Sequence, residues 1–196
     1  VCLDPLLNQA AKLRYMFGGK ARVPLTVRTV SGAGMRSAAQ HSQSLYWMTA
    51  GIPGLKTVIP SNPADAKGLL LAAIRDDDPV IFCEAKGVLM QRGEVPEGDY
   101  TIPIGQAKVV RAGGDVTLVA FGATVAVALA AAEQLDATVV NMRWVKPLDQ
   151  ALLQEIAEQH QALVTVEEGS IMGGAGSAVG EFLQSCGRIR PMLHLG

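Results

Sequence analysis

Cysteine and histidine are scarce in this chain, and neither clusters. The three cysteines, Cys2, Cys83 and Cys186, are far apart and odd in number. That excludes a disulfide framework and points to a reducing, cytoplasmic setting. The three histidines, His41, His160 and His194, are equally scattered, so no Cys/His group has zinc-ligand spacing. An excess of one charge is also missing: the net charge of −1 argues against a surface for nucleic acid or another polyanion. No secretory signal opens the chain, because Asp4 interrupts a short apolar start. Residues 116–132, VTLVAFGATVAVALAAA, hold no charge, but 17 residues is the lower limit for crossing a bilayer. Gly122 divides that run into a β-branched half and an alanine-rich half. A strand, a tight turn and a buried helix are expected there, in a soluble protein with no membrane partner.

With 196 residues, the chain has room for one large or two small domains and ample apolar content for a core. Charge is uneven along it: residues 1–98 carry 11 Lys/Arg and 8 Asp/Glu, and residues 99–196 carry 6 and 10. Apolar periodicity alternates throughout, as in an α/β protein. Helical spacing runs from Leu6 to Phe17 and ends at Gly18-Gly19. Val23–Val30 reads as a strand, followed by a glycine turn and a helix through His41. Lys56–Ile59 is a short strand stopped by Pro60. Ser61 or Asn62 then caps a helix with Pro63 in its first turn, running to about Arg75, and Pro79–Glu84 is a further strand.

Residues 85–104 lose this rhythm and read as a linker dotted with glycine and proline. Beyond it, strands are predicted at 106–111, 115–121, 137–143 and 162–166, with a last strand around Leu193. Helices are predicted at 123–135, from Asp149 to about Gln159, and from Gly174 onward. Right-handed crossovers make this second sheet mainly parallel. The expected division is a first domain at 1–88, a linker at 89–104 and a second domain at 105–196.

One stretch carries the densest chemistry. Gly32 to Ser44, GAGMRSAAQHSQS, joins a glycine turn, Arg36, a run of small residues and His41 between Gln40 and Ser42. Glycine allows close backbone approach and positive φ, and a positioned imidazole is a proton donor and acceptor near neutral pH. The bland alternative is a core histidine at a helix start. A second glycine-rich stretch, Met172–Gly180 (MGGAGSAVG), follows the strand ALVTV and superficially resembles a dinucleotide-binding turn. Its glycines are not spaced GxGxxG, and Glu167-Glu168 stand where a pyrophosphate would be repelled. A turn that lets a helix pack closely on the sheet is the better reading.

Several long stretches resemble a known family. KLRYMFGGKARVPLTVRT, GAGMRSAAQHSQSLYW, IPGLKTVIPSNPADAKGLLLAAIRDDDPVIF and EVPEGDYTIPIG resemble the β subunit of thiamine-diphosphate-dependent 2-oxo acid dehydrogenases of the pyruvate and acetoin type, over residues 8–106. LVAFGATVAVALAAAEQLDATVVNMRWVKPLDQALL and ALVTVEEGSIMGGAGSAVGEFL resemble the C-terminal part of 1-deoxy-D-xylulose-5-phosphate synthase, over residues 104–196. Both belong to the transketolase-like superfamily. The resemblance implies a partial pyrimidine-binding domain followed by a transketolase C-terminal-like α/β domain. It implies a component that cleaves or decarboxylates its substrate and passes the acyl group to a lipoyl domain. A synthase fragment acting on pyruvate and glyceraldehyde 3-phosphate is the alternative, and a non-catalytic α/β partner protein is a third reading.

The same resemblance implies roles for single residues. His41 matches the family's active-site histidine, with Gln40 and Ser42 orienting it and Arg36 as a nearby positive group. Ala73, Ile74, Asp76 and Asp78 match a loop that holds potassium in many β subunits, although Asp78 replaces the usual asparagine. The plainer reading of that loop is a charged helix end and turn. Arg143 matches an arginine that meets the acceptor phosphate in the synthase; an interface arginine is the competing reading. The family holds thiamine diphosphate through magnesium with a GDG…N motif, and this chain contains no GDG. The activating glutamate lies upstream of the matched region. The chain is therefore expected to supply only part of a cofactor site. An E1 α-type subunit or a missing N-terminal domain would complete it, within a homo- or hetero-oligomer.

Overall fold

The computed structural model describes residues 2–196. Val1, the first residue of the expected first domain, lies outside them. Pro5–Ala10 winds as a π-helical segment that continues into α1, Ala11–Met16. Gly18 and Gly19, at φ +60° and +82°, end it. Strand β1 is Thr26–Ser31, α2 is Tyr46–Ala50 and β2 is Lys56–Val58. Helix α3, Pro63–Ile74, starts as its sequence predicts: the Asn62 side chain accepts from the Asp65 N–H at 2.8 Å, with Pro63 in the first turn. Strand β3 is Val80–Ala85.

The second half runs β4 (Lys108–Arg111), β5 (Val116–Ala120), α4 (Thr124–Leu135), β6 (Thr138–Asn141), β7 (Trp144–Lys146), α5 (Gln150–Gln159), β8 (Ala162–Val166), α6 (Ala175–Ser185) and β9 (Met192–Leu195). Gly122, at φ +58°, makes the tight turn between β5 and α4. No helix among the described residues is long and apolar enough to cross a membrane. Asp149 caps α5 with one oxygen, accepting from the Leu152 N–H at 3.0 Å. Its other oxygen accepts from the Ala107 N–H at 2.9 Å, tying down the approach to β4.

Two sheets result. The first has the order β1-β3-β2-β7, its first three strands parallel; the second has the order β4-β6-β5-β8-β9 and is parallel except for the β4–β6 pair. The architecture is thus mixed α/β with mainly parallel sheets. Two expectations need correction. The helix through His41 does not form: φ is positive at Gly32, Gly34, Arg36 and Ala38, which breaks α geometry and leaves one 3₁₀ turn at Ala39–His41. The strand expected over 137–143 stops at Asn141, and Arg143, at φ +60°, redirects the chain into β7. That strand crosses over to pair antiparallel with β2 in the first sheet. Finally, α2 has no counterpart in the periodicity reading.

Strand β7 brings the fully buried Trp144 into the first half's core, against Val58, Leu69, Val80 and Phe82. A second cluster spans both halves, with Ile59, Ile81 and Cys83 beside Val119, Phe121, Met142 and Leu163. Burial pushes the Cys83 thiol up to about 12, so it packs as an inert apolar group. The polar segment at 85–104 is strapped along α3. There, the Tyr100 hydroxyl donates to Ala64 O at 2.7 Å, and the Lys67 ammonium donates to Pro96 O and Gly98 O. Gly68 leaves room on the helix for Tyr100 and Ile102.

Candidate functional site

In parallel α/β sheets, ligands gather at the carboxyl ends of the strands. Here the carboxyl ends of both sheets meet. Gly122, two residues past β5, lies against Ile59 and Ala85, which follow β2 and end β3. Gly34, after β1, faces the Gly87 backbone so closely that a Cβ there would just touch it. The loop after β8 reaches the loop after β1 through Glu168. The segment around His41 therefore sits where the two halves join.

His41 is exposed, as are Arg36 and Gln40. The loop is closed at its base by the Gly32 N–H donating to Gln43 O at 3.0 Å. Inside it, the Ser42 hydroxyl donates to Ala38 O at 2.8 Å and the Ser42 N–H to Ala39 O at 3.1 Å. Ser42 thus braces the turn that presents His41. Arg36 (φ +51°) and Ala38 (φ +63°) occupy left-handed conformations, unfavourable for residues with a Cβ. Such strain persists only where surrounding contacts impose it, and the second half holds the chain on either side of these two residues, at Ala33 and Tyr46. Glu168 Oε1 accepts from the Ala33 N–H at 3.2 Å. Glu167 Oε2 accepts from the Tyr46 hydroxyl at 2.7 Å and from the Ala175 N–H at 3.0 Å, and Oε1 accepts from the Gly176 N–H at 2.8 Å. Burial, the hydrogen bond to Glu167 and its negative charge together hold the Tyr46 phenol far above its ordinary pKa.

Glu167, Glu168 and Tyr46 were not singled out as site residues by the sequence reading. The signal was present as EEG directly after a buried strand, next to a run of glycines. Gly174 and Gly169 clear space for the Glu167 carboxylate and the Tyr46 hydroxyl, and Gly176 lets α6 approach Thr165. The MGGAGSAVG turn is therefore a close-packing device around a carboxylate, which already occupies the anion-favouring helix N-terminus.

Arg143 is buried, with 8% of its surface exposed, and its Nη2 donates to Asp65 Oδ1 at 2.7 Å. Asp65 is 3% exposed; its Oδ2 also accepts from Asn141 Nδ2 at 2.7 Å and Asn62 Nδ2 at 3.0 Å. This is a closed cluster joining α3 to the β6–β7 turn. Among the described residues no hydrogen bond links Arg143 to the His41 loop.

The Ala73, Ile74, Asp76 and Asp78 loop lies elsewhere, at the end of α3. Lys56 Nζ donates to both Asp76 oxygens at 2.7 Å and to Asp78 Oδ2 at 3.3 Å, and Arg14 Nη1 donates to Asp78 Oδ1 at 2.9 Å. Ala73 O accepts from the Asp76 N–H at 3.3 Å, while Ile74 is exposed. Partial burial raises the Asp78 carboxyl, but Arg14 and Lys56 outweigh it and hold its pKa below the ordinary value. Among the described residues no group of three or more His, Cys, Asp or Glu side chains is placed to hold a metal ion.

Comparison with known proteins sets this geometry in a family. Residues 3–91 match the transketolase pyrimidine binding domain, and residues 105–194 match the transketolase C-terminal domain. The chain is 55% identical over 174 residues to the acetoin:2,6-dichlorophenolindophenol oxidoreductase subunit beta of Bacillus subtilis, covering 86% of this chain and 51% of that one. It is 43% identical over 181 residues to the pyruvate dehydrogenase E1 component subunit beta of Rickettsia felis, covering 90% of this chain and 56% of that one. The chain thus spans about half the length of the curated relatives it matches. Among solved structures, a split gene transketolase described as an inactive beta4 tetramer matches with TM-score 0.81 and 28% identity, over 97% of this chain and 60% of that one. A β-subunit match across 86% of the chain cannot be confined to either half. The reading of the second half as a synthase, and that of a non-catalytic partner, give way to one β-subunit relationship. With both transketolase domains matched in order along one chain, the protein belongs to the transketolase-like superfamily.

Proposed function

We propose that this chain is the portion of an E1 β-type subunit that carries His41 and the transketolase C-terminal domain, in a thiamine-diphosphate-dependent acetoin or 2-oxo acid dehydrogenase. The observation that carries this reading is the β-subunit relationship running through both halves, and the exposed His41 on a braced loop at their junction supports it. In this reading His41 exchanges protons with the reacting substrate, Gln40 and Ser42 orient it, and Arg36 supplies positive charge to an anionic substrate. The division into 1–88, 89–104 and 105–196 goes with it, the middle segment acting as a strap on α3 rather than a free tether.

The chain's own donors do not fit the magnesium-bound diphosphate of that cofactor. Glu167 and Glu168, the acids nearest the loop, already accept from Tyr46, Ala33, Ala175 and Gly176. The groups that hold the cofactor belong to the rest of the subunit or to an α-type partner, and a lipoyl domain takes the acyl product. Exposed Tyr15, Met16 and Phe17 at the end of α1 support an oligomer, being a large apolar patch for a monomer to leave in water. The unpaired cysteines support a cytoplasmic location.

Arg143 serves as the buried link between the halves, and the Lys56 ammonium serves as the cation of the Asp76–Asp78 loop. Exchanging sodium for potassium chloride at equal ionic strength should then shift the thermal midpoint by less than about 1 °C, about the effect of a few tenths of a kcal/mol. A rise of several degrees specific to potassium would instead favour an ion held by Ala73, Ile74, Asp76 and Asp78.

The functional reading is tested by assembling the protein with an α-type subunit, thiamine diphosphate and magnesium, and following dichlorophenolindophenol reduction. Acetoin or a 2-oxo acid should drive it. Condensation of pyruvate with glyceraldehyde 3-phosphate, without dye reduction, would move the assignment to the synthase.

A further inference from the structure

Two consecutive carboxylates from the second sheet reach the two ends of the histidine loop. Burial alternates along β8 and beyond it, with Leu163, Thr165 and Glu167 buried and Glu168 exposed. The twofold period of an extended chain sends neighbouring side chains to opposite faces. Glu167 therefore turns inward to Tyr46, two residues past the end of the loop, while Glu168 turns outward to Ala33 at its beginning. The loop's own closing bond, Gly32 N–H to Gln43 O, joins the chain beside the first anchor to the chain three residues before the second.

We propose that Glu167 and Glu168 are positioning residues for His41, a paired clamp through which the closing domain fixes the histidine loop. The proposal rests on the proton-handling role given to His41 above. The Glu167 arm is itself immobilised, and the Glu168 arm reaches the loop by a single bond. Glu167 is pinned by the first two N–H groups of α6, an 11-residue helix, so Tyr46 is tied to a fixed point. Gly32, with no Cβ and at φ +81°, leaves the Glu168 carboxylate room; a side chain there would run into it where it now lies. The clamp also accounts for the left-handed Arg36 and Ala38, since a loop anchored at both ends has little freedom to relax.

Amide hydrogen exchange and steady-state kinetics of Glu168→Ala, Glu168→Gln and Tyr46→Phe, in the native assembly with its partner subunit, test this. Glu168→Ala removes the acceptor, whereas Glu168→Gln retains an oxygen for the Ala33 N–H. We expect Glu168→Ala to speed exchange at Gly32 and Ala33 by about tenfold, the scale of one charge-assisted hydrogen bond, with α6 unchanged. Turnover should fall by a similar factor with KM within about threefold, and Glu168→Gln should recover most of it. Tyr46→Phe releases the other end, and with Glu168→Ala should lower turnover further than either change alone. Unchanged exchange in Glu168→Ala overturns the clamp, and faster exchange with full turnover overturns its positioning role. If His41→Ala itself leaves turnover intact, the role given to His41 fails, and the exchange measurement still decides whether the clamp exists.

Discussion

Replacing His41 by alanine should lower turnover of the assembled enzyme by roughly 10²- to 10⁴-fold, the usual contribution of a positioned acid–base group. Affinity for thiamine diphosphate should change little, because His41 lies on an exposed loop tip away from any cluster of acidic donors. The loss should appear in kcat and kcat/KM alike, as for a group that acts in the transition state. The loop's shape is imposed by Gly32, Gly34, Ser42 and the second half's carboxylates, not by the imidazole, so folding should be unaffected. Turnover within about threefold of the parent would reduce His41 to a surface residue.

Removing the Asp65 carboxylate should destabilise the fold by about 3–5 kcal/mol, the cost of leaving a buried charge without its partner. Asp65→Ala strands the Arg143 guanidinium, whose Nε already has no hydrogen-bond partner. It also strips a partner from Asn141 and Asn62. Arg143→Ala strands Asp65 in turn, though Asn141 and Asn62 still donate to it, so its cost should fall at the lower end of that range. Combining Asp65→Leu with Arg143→Met should cost less than Asp65→Ala alone, because neither charge then needs desolvating. Urea midpoints of the variants give these differences directly. Losses below about 1 kcal/mol for both single alanine variants would contradict the structural role and return Arg143 to consideration as a substrate ligand.

The sequence made most of the framework legible and much of the site's support illegible, for physical reasons. Helices α3 and α5 announce themselves through Asn62-Pro63 and Asp149, because capping is local chemistry. Strand β5, the Gly122 turn and α4 follow from a change in side-chain type at a glycine. The His41 loop misled the periodicity reading: small residues suit a helix, but Arg36 and Ala38 are left-handed, in a loop whose beginning is held by a residue 135 positions away. The break at Arg143 is equally tertiary, since the chain there leaves the second half's sheet and Trp144 fills the first half's core. Arg143 and the Asp76–Asp78 loop were visible as charged residues in suggestive places, but their partners Asp65 and Lys56 were not. An ion pair between distant segments has no signature in either segment alone. The two glutamates that hold the loop were noticed only as a charge unsuited to pyrophosphate, because their function depends on where β8 ends relative to β1.

Calorimetry with thiamine diphosphate and magnesium tests the central claim, that these residues supply the histidine half of a shared site and not the cofactor-holding half. The account predicts no binding tighter than about millimolar by this chain alone. It predicts tight binding once the complementary segment or α-type subunit is present, with equal affinity for the parent and His41→Ala assemblies. Micromolar binding by the chain alone would contradict it.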